Sequence, residues 1–149
     1  MIPVIDLFAG AGGLGEGFSA FLDEDISPFG LKLAMEKDDE ACRTLEVRAF
    51  FRKFSAGNVP HEYYRLLKGE IGINTLFRKH PDEARAARNE VRCVELGATD
   101  TAESTIDMWI ERALGNSTRW VLTGGPPCQA FSIAGRGRNR AVPGYVPED

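Results

Sequence analysis

The opening of this chain constrains it most. Ile2 to Phe8 is a β-rich apolar stretch that runs straight into Ala9-Gly10-Ala11-Gly12-Gly13. From Leu14 to Leu22, the apolar positions Leu14, Phe18, Phe21 and Leu22 share one helical face. Strand, glycine turn and helix in that order open a nucleotide-binding βαβ unit. Leu31-Lys32-Leu33-Ala34-Met35 then reads as a second strand that ends at Glu36. Asp38 is placed to cap a helix running to about Arg52.

The remaining chain continues the alternation. Val91 to Leu96 is a candidate third strand, stopped by Gly97. Glu103 to Leu114 is strongly amphipathic, with Ile106, Trp109, Ile110, Ala113 and Leu114 as its apolar face and Gly115-Asn116 as its stop. Arg119-Trp120-Val121-Leu122-Thr123 reads as a short buried fourth strand. Between the second and third strands, Ser55 to Glu90 looks like an insertion. It has one helix from Glu62 to Lys68, and Pro81 starts another through an alanine- and arginine-rich stretch to Asn89. The fold class is therefore α/β, with a mostly parallel sheet and flanking helices. At 149 residues the chain is long enough for one domain with a real core. From Ala134 onward, Gly, Pro and Arg predict a mobile loop.

Composition excludes several classes. No apolar run approaches the ~20 residues that span a bilayer, which argues against a membrane protein. Asp6 interrupts the N-terminal apolar run and no basic region precedes it, so a signal peptide is not expected and a cytosolic setting follows. A net charge of -4 argues against binding nucleic acid with the whole surface. The three cysteines, Cys42, Cys93 and Cys128, are widely spaced with no CxxC. That spacing predicts neither a disulfide framework nor a metal site, and leaves Cys42 and Cys93 as small buried hydrophobes.

Cys128 differs from the other two. It follows Gly124-Gly125-Pro126-Pro127 and precedes Gln129-Ala130-Phe131-Ser132. Two prolines stiffen the backbone before the thiol, and two glycines let backbone or ligand approach closely. A free cysteine is commonly structural, but such rigid presentation at the end of a strand points to a nucleophile. His61 and His80 lie in the inserted segment, which disfavours a Cys–His hydrolase.

The loop at 8–14 and Glu36 form a second constellation. An acid at the end of the second strand is placed to bind ribose hydroxyls. The glycines do not form GxGxxG, because Gly15 breaks the frame. The loop suits a nucleoside without phosphates, such as S-adenosylmethionine, better than a pyrophosphate. Glycines serving only strand–helix packing would look the same. Arg136, Arg138 and Arg140 form a third group, read either as phosphate contacts or as a solvated basic loop.

Together these residues resemble the cytosine-5 DNA methyltransferase family. Asp6-Leu7-Phe8-Ala9-Gly10-Ala11-Gly12-Gly13 is similar to its first motif, Glu36 to the acid of its second, and Gly125-Pro126-Pro127-Cys128-Gln129 with Phe131-Ser132 to its fourth. The resemblance implies a Rossmann-like S-adenosylmethionine-dependent methyltransferase fold, double-stranded DNA as partner, and no metal. It implies a covalent adduct of Cys128 with a flipped-out cytosine. Phe8 would stack near the adenine, Ala9 to Gly13 would hold the cofactor, and Glu36 with Lys37 would meet the ribose. Gly125 and Pro127 would line the space between cofactor and base. Gln129, Ser132, Arg136 and Arg138 would lie against DNA. A bacterial stand-alone enzyme is the expected setting, with restriction-modification and regulation both open. An RNA methyltransferase of the same chemistry and a non-catalytic module of the same fold stay open.

Several family parts have no counterpart here. The sixth motif, Glu-Asn-Val, is matched only by Asn89-Glu90-Val91, in another order and ahead of the cysteine. The eighth motif needs a glutamine among arginines, and Gln129 is the sole glutamine. Asp100 is a candidate for the third-motif acid that meets the adenine. The resemblance therefore implies the N-terminal portion of a catalytic domain, with an incomplete sheet and an insertion at about 55–90. It also places the catalytic loop at about 130–149 and leaves the target recognition region out. Such a chain alone is expected to leave DNA unmethylated and to self-associate through an exposed sheet edge, with weak cofactor binding left open.

Overall fold

The computed structural model describes residues 1–23 and 26–126. Four strands form one sheet: β1 (Ile2–Leu7), β2 (Phe29–Glu36), β3 (Val91–Cys93) and β4 (Val121–Gly124). Their order is β3-β2-β1-β4, and every pairing is parallel. Parallel neighbours require crossovers, and helices supply them. They are α1 (Gly13–Ala20), α2 (Asp39–Phe51), α3 (His61–Leu67), α4 (Ile73–Lys79), α5 (Pro81–Glu90) and α6 (Glu103–Leu114).

The strand order fixes the layers. From β1 to β3 the chain steps steadily in one direction, then α6 carries it back across the sheet to β4. Right-handed crossovers in opposite directions must cover opposite faces. Two cores follow. Ala34, Leu45, Phe50, Leu76, Ala87 and Val91 pack on the α2 and α5 side. Ile5, Leu33 and Met35 pack on the other side, under Ile106, Trp109, Ile110, Ala113 and Leu114 of α6. This apolar face of α6 is the one its 3.6-residue period predicts.

Register irregularity lets β2 serve both layers. Val4 pairs with Leu31, but Ile5 pairs with Leu33, so Lys32 is the extra residue of a bulge. Leu31 stays on the α1 side with Val4, Leu33 moves to the α6 side with Ile5, and Lys32 stands exposed.

Four expectations need correction. The α1 stripe is not buried: Leu14, Phe21 and Leu22 are exposed, and the buried residue of α1 is Gly15. Phe18 and Phe21 instead meet the edge of Phe29 at the start of β2. β4 is not a buried strand but the sheet edge, with Leu122 55% exposed. The 55–90 segment holds more helix than the two expected. It includes an unforeseen helix, α4, and it gives Leu76, Phe77, Ala84 and Ala87 to the core. The third strand ends at Cys93 rather than Leu96.

Cys42 and Cys93 are not separate buried thiols. They are disulfide-bonded, with Cα atoms 5.8 Å apart across 51 residues of sequence, and Cys93 is exposed. Parallel pairing sets Cys93 opposite Glu36, and the first turn of α2 folds back over that same strand end. No helix is long and apolar enough to cross a membrane among the described residues.

Candidate functional site

The reversal of strand order at β1 leaves a crevice at the carboxyl ends of the strands, where open α/β sheets bind ligands. A cleft of about 300 Å³ lies there. One wall is Phe8 and Gly10 after β1, with Gly125 after β4. The floor and far wall are Met35, Glu36 and Lys37, then Val94, Glu95 and Leu96 after β3.

The loop after β1 is built by its own backbone. Phe8 has φ 54, in the left-handed region that a bulky side chain seldom occupies. Such strain clusters at ligand sites. It turns the chain so that the Ala9 N–H donates to the Met35 carbonyl at 3.0 Å, and the Phe8 ring is left 36% exposed at the cleft. Gly12 caps α1 at φ 87, and a Cβ there would lie 2.7 Å from Leu45 Cδ2, so only glycine fits.

Glu36 holds this loop. Its Oε2 accepts from the Gly10 N–H at 2.8 Å, while Oε1 accepts from Lys37 N–H at 2.8 Å and Asp38 N–H at 3.0 Å. Partial burial pushes the Glu36 carboxyl up, but the N–H groups of Asp38, Gly10 and Lys37 together outweigh it, against some repulsion from Asp38. The net result lies below the usual carboxylate range. Three of its roughly four lone-pair sites are thus in use. The free site on Oε2 and displacement of one N–H are what remain for a ribose diol.

Lys37 pairs with Glu95 at 2.9 Å across the cleft mouth. Its hydrogen bond to Glu95 and the Glu95 charge raise the Lys37 pKa. Both side chains are about 60% exposed, so the pair is easily screened by salt. Behind the loop, Asp6 is fully buried near the carboxyl end of β1. Its Oδ2 accepts from Gly15 N–H at 3.2 Å, and Oδ1 has no partner among the described residues. Burial pushes its pKa up, and the Gly15 hydrogen bond opposes that only in part.

The structure thus brings together Phe8, Gly10, Glu36, Lys37 and Gly125. It does not bring Ala9, Ala11, Gly12 or Gly13 into the lining: Ala9 packs against the α2 core, Gly12 is buried against Leu45, and Gly13 begins α1. Asp100 is likewise not in the lining. Met35, Val94, Glu95 and Leu96 are lining residues that sequence reasoning missed. The sequence pattern extends the third strand over Val94 to Leu96; the usable signal is their position just past β3. Pro127, Cys128, Gln129, Ser132, Arg136 and Arg138 lie outside the described residues. Gly125, three positions ahead of Cys128, is within them and in the lining.

The cleft suits an adenosyl group in kind. It offers an exposed aromatic face at Phe8, apolar walls at Met35, Val94 and Leu96, and an ionised carboxylate at Glu36. No group of three or more metal-ligating side chains occurs among the described residues.

The chain is 33% identical over 150 residues to the Type II methyltransferase M.Bpa9945I of Bacillus paralicheniformis (strain ATCC 9945a / NCIMB 11709 / CD-2), an alignment covering 91% of this chain and 32% of that protein. The chain therefore spans about a third of the length of the curated relative it matches. No family model matches, and no solved structure matches. The four-stranded parallel sheet with flanking helices is consistent with a Rossmann-like methyltransferase fold. The likeness to that relative supports a methyltransferase family for this chain.

Proposed function

We propose that this chain is the cofactor-side portion of a DNA cytosine-5 methyltransferase that uses S-adenosylmethionine. The observation that carries the reading is the cleft itself. It joins Phe8, Gly10, Glu36 and Lys37, four of the expected cofactor contacts, to Gly125, which precedes Pro126-Pro127-Cys128 in sequence. The relative's name, a Type II methyltransferase, supports methyl transfer and suggests DNA as substrate.

Carbon 5 of cytosine is a weak nucleophile. In the proposed reaction the Cys128 thiolate adds to carbon 6, which makes carbon 5 enamine-like. Carbon 5 then takes a methyl group from the sulfonium of the donor, leaving S-adenosylhomocysteine. A base removes the carbon 5 proton, the electron pair re-forms the double bond, and the thiolate leaves. The base must be flipped out of the duplex for this to occur. Phe8, Glu36 and the Gly10 backbone orient the donor, while Gly125 and Pro127 leave room between it and the base. Gln129, Ser132, Arg136 and Arg138 are the residues assigned to DNA contact in this reading. In these 149 residues no Glu-Asn-Val and no second glutamine occur, so the chain assayed alone transfers no methyl group.

The test is a trapping assay on the protein produced from its natural gene. Duplex DNA carrying 5-fluorocytosine, with S-adenosylmethionine present, forms an adduct that survives denaturation and maps to Cys128. Cys128→Ser forms none. Trapping only by the matching RNA would move the substrate to RNA, and absence of any adduct would remove the cysteine chemistry.

A further inference from the structure

The cleft leaves one charged surface unexplained. Arg78, Arg85 and Arg88 line an open groove of about 580 Å³ between α4 and α5, with Asn89 at its end. Asn89 also lines a second groove, of about 410 Å³, with Lys32, Arg92 and Arg112. The two grooves therefore run into one another around the β3 edge of the sheet. Neither has a carboxylate in its lining.

We propose that this strip, from Arg78 through Arg85 and Arg88 to Arg92 and Arg112, binds the phosphate backbone of duplex DNA at a site separate from the catalytic cleft. The choice of DNA over another polyanion rests on the substrate reading above. Position separates the two sites. Lys32 lies four residues before Glu36 on β2, about 13 Å away at about 3.3 Å per residue. The Lys32 end of the second groove thus lies toward the amino ends of the strands; its Arg92 end pairs in register with Met35 of the cleft floor, but neither groove shares a lining residue with the cleft.

Several features point to an anion. The chain as a whole carries -4, so the strip does not reflect a general basic excess. Arg78, Arg92, Arg112 and Lys32 form no ion pair among the described residues. Arg85 pairs with the exposed Asp82, and Arg88 lies only at 3.9 Å from Glu46. Burial and then the Arg112 charge hold the Arg92 pKa down, a like-charge proximity that a bound phosphate would relieve. The Arg92 guanidinium sits 5.3 Å from the Trp109 ring centroid and its Nη1 donates to the Arg88 and Val91 carbonyls at 2.9 Å, which fixes its plane and leaves Nε and Nη2 for a phosphate. Arg85 and Arg88 stand one helical turn apart, and a row of cations that follows an edge suits a linear polyanion better than one phosphate.

The experiment titrates a labelled 24-base-pair duplex of mixed sequence across salt concentrations, with heparin as a second probe. Arg78→Glu/Arg112→Glu, both exposed, is expected to weaken duplex binding at least 10-fold and flatten the salt slope by about 2, at about 0.9 per phosphate lost. Arg92→Gln flattens it by about 1. Arg43→Glu/Lys68→Glu, the same charge change on α2 and α3, leaves the slope unchanged. An unaltered slope in the first variant, equal weakening in the control, or heparin bound in preference to the duplex would each overturn the proposal. Donor binding measured on the same samples keeps the two readings apart: loss of duplex binding without donor binding leaves the strip standing and removes the methyltransferase reading.

Discussion

Glu36 and Gly10 are joined across 26 residues by a 2.8 Å hydrogen bond from the loop N–H to the carboxylate. That bond ties the glycine turn after β1 to the end of β2, so one side chain shapes the cleft as well as lining it. Glu36→Gln keeps the volume but loses the charge that three N–H donors stabilise. Because the Glu36 pKa is lowered, its stabilising effect is complete above the ordinary value of 4.5 and is lost as pH falls through the folded value. Denaturant unfolding of wild type and Glu36→Gln should therefore diverge at neutral pH, with wild type more stable, and converge below pH 4.5.

Asp6 has the opposite sign. Burial raises its pKa, so the folded state holds a proton more tightly than the unfolded chain does. Stability from this group is present below the ordinary value of 3.8 and declines as pH rises toward the folded value. Asp6→Asn keeps an acceptor for the Gly15 N–H and removes the titration. It should equal wild type at pH 3 and exceed it at neutral pH in the same unfolding experiment.

Gly124 is required by close approach. A Cβ there would collide with the Leu7 carbonyl oxygen, a backbone atom that cannot swing aside within a parallel pair. Gly124→Ala should lose more than ~2 kcal/mol by denaturant unfolding. Gly13→Ala, where a Cβ meets nothing within 4 Å, should stay within ~0.5 kcal/mol of wild type or gain slightly.

The Cys42–Cys93 bond closes a long loop that contains α3, α4 and α5. Constraining such a loop should stabilise by ~2–4 kcal/mol. Thermal melts with and without dithiothreitol should differ by that amount for wild type and not at all for Cys93→Ser. Peptide mapping without reductant should recover the linked pair.

Sequence made the β1 loop, Glu36 and α6 legible because each rests on local chemistry: glycine at a turn, an acid closing a strand, an apolar period of 3.6. What it hid depended on neighbours far away in the chain. Cys93 meets Cys42 only because β3 pairs in register with the end of β2. Val94 and Leu96 line the cleft only because the strand stops at Cys93. The α1 stripe misled because its aromatic residues cover Phe29 at the strand start rather than the sheet face. Nor could periodicity reveal that backbone N–H groups occupy most of the Glu36 carboxylate.

Isothermal calorimetry of S-adenosylmethionine on wild type and Glu36→Ala tests the central claim most directly. The account predicts one donor per chain for wild type and affinity at least 10-fold weaker for the variant. No measurable binding to wild type at millimolar donor, or equal binding to both proteins, would contradict it.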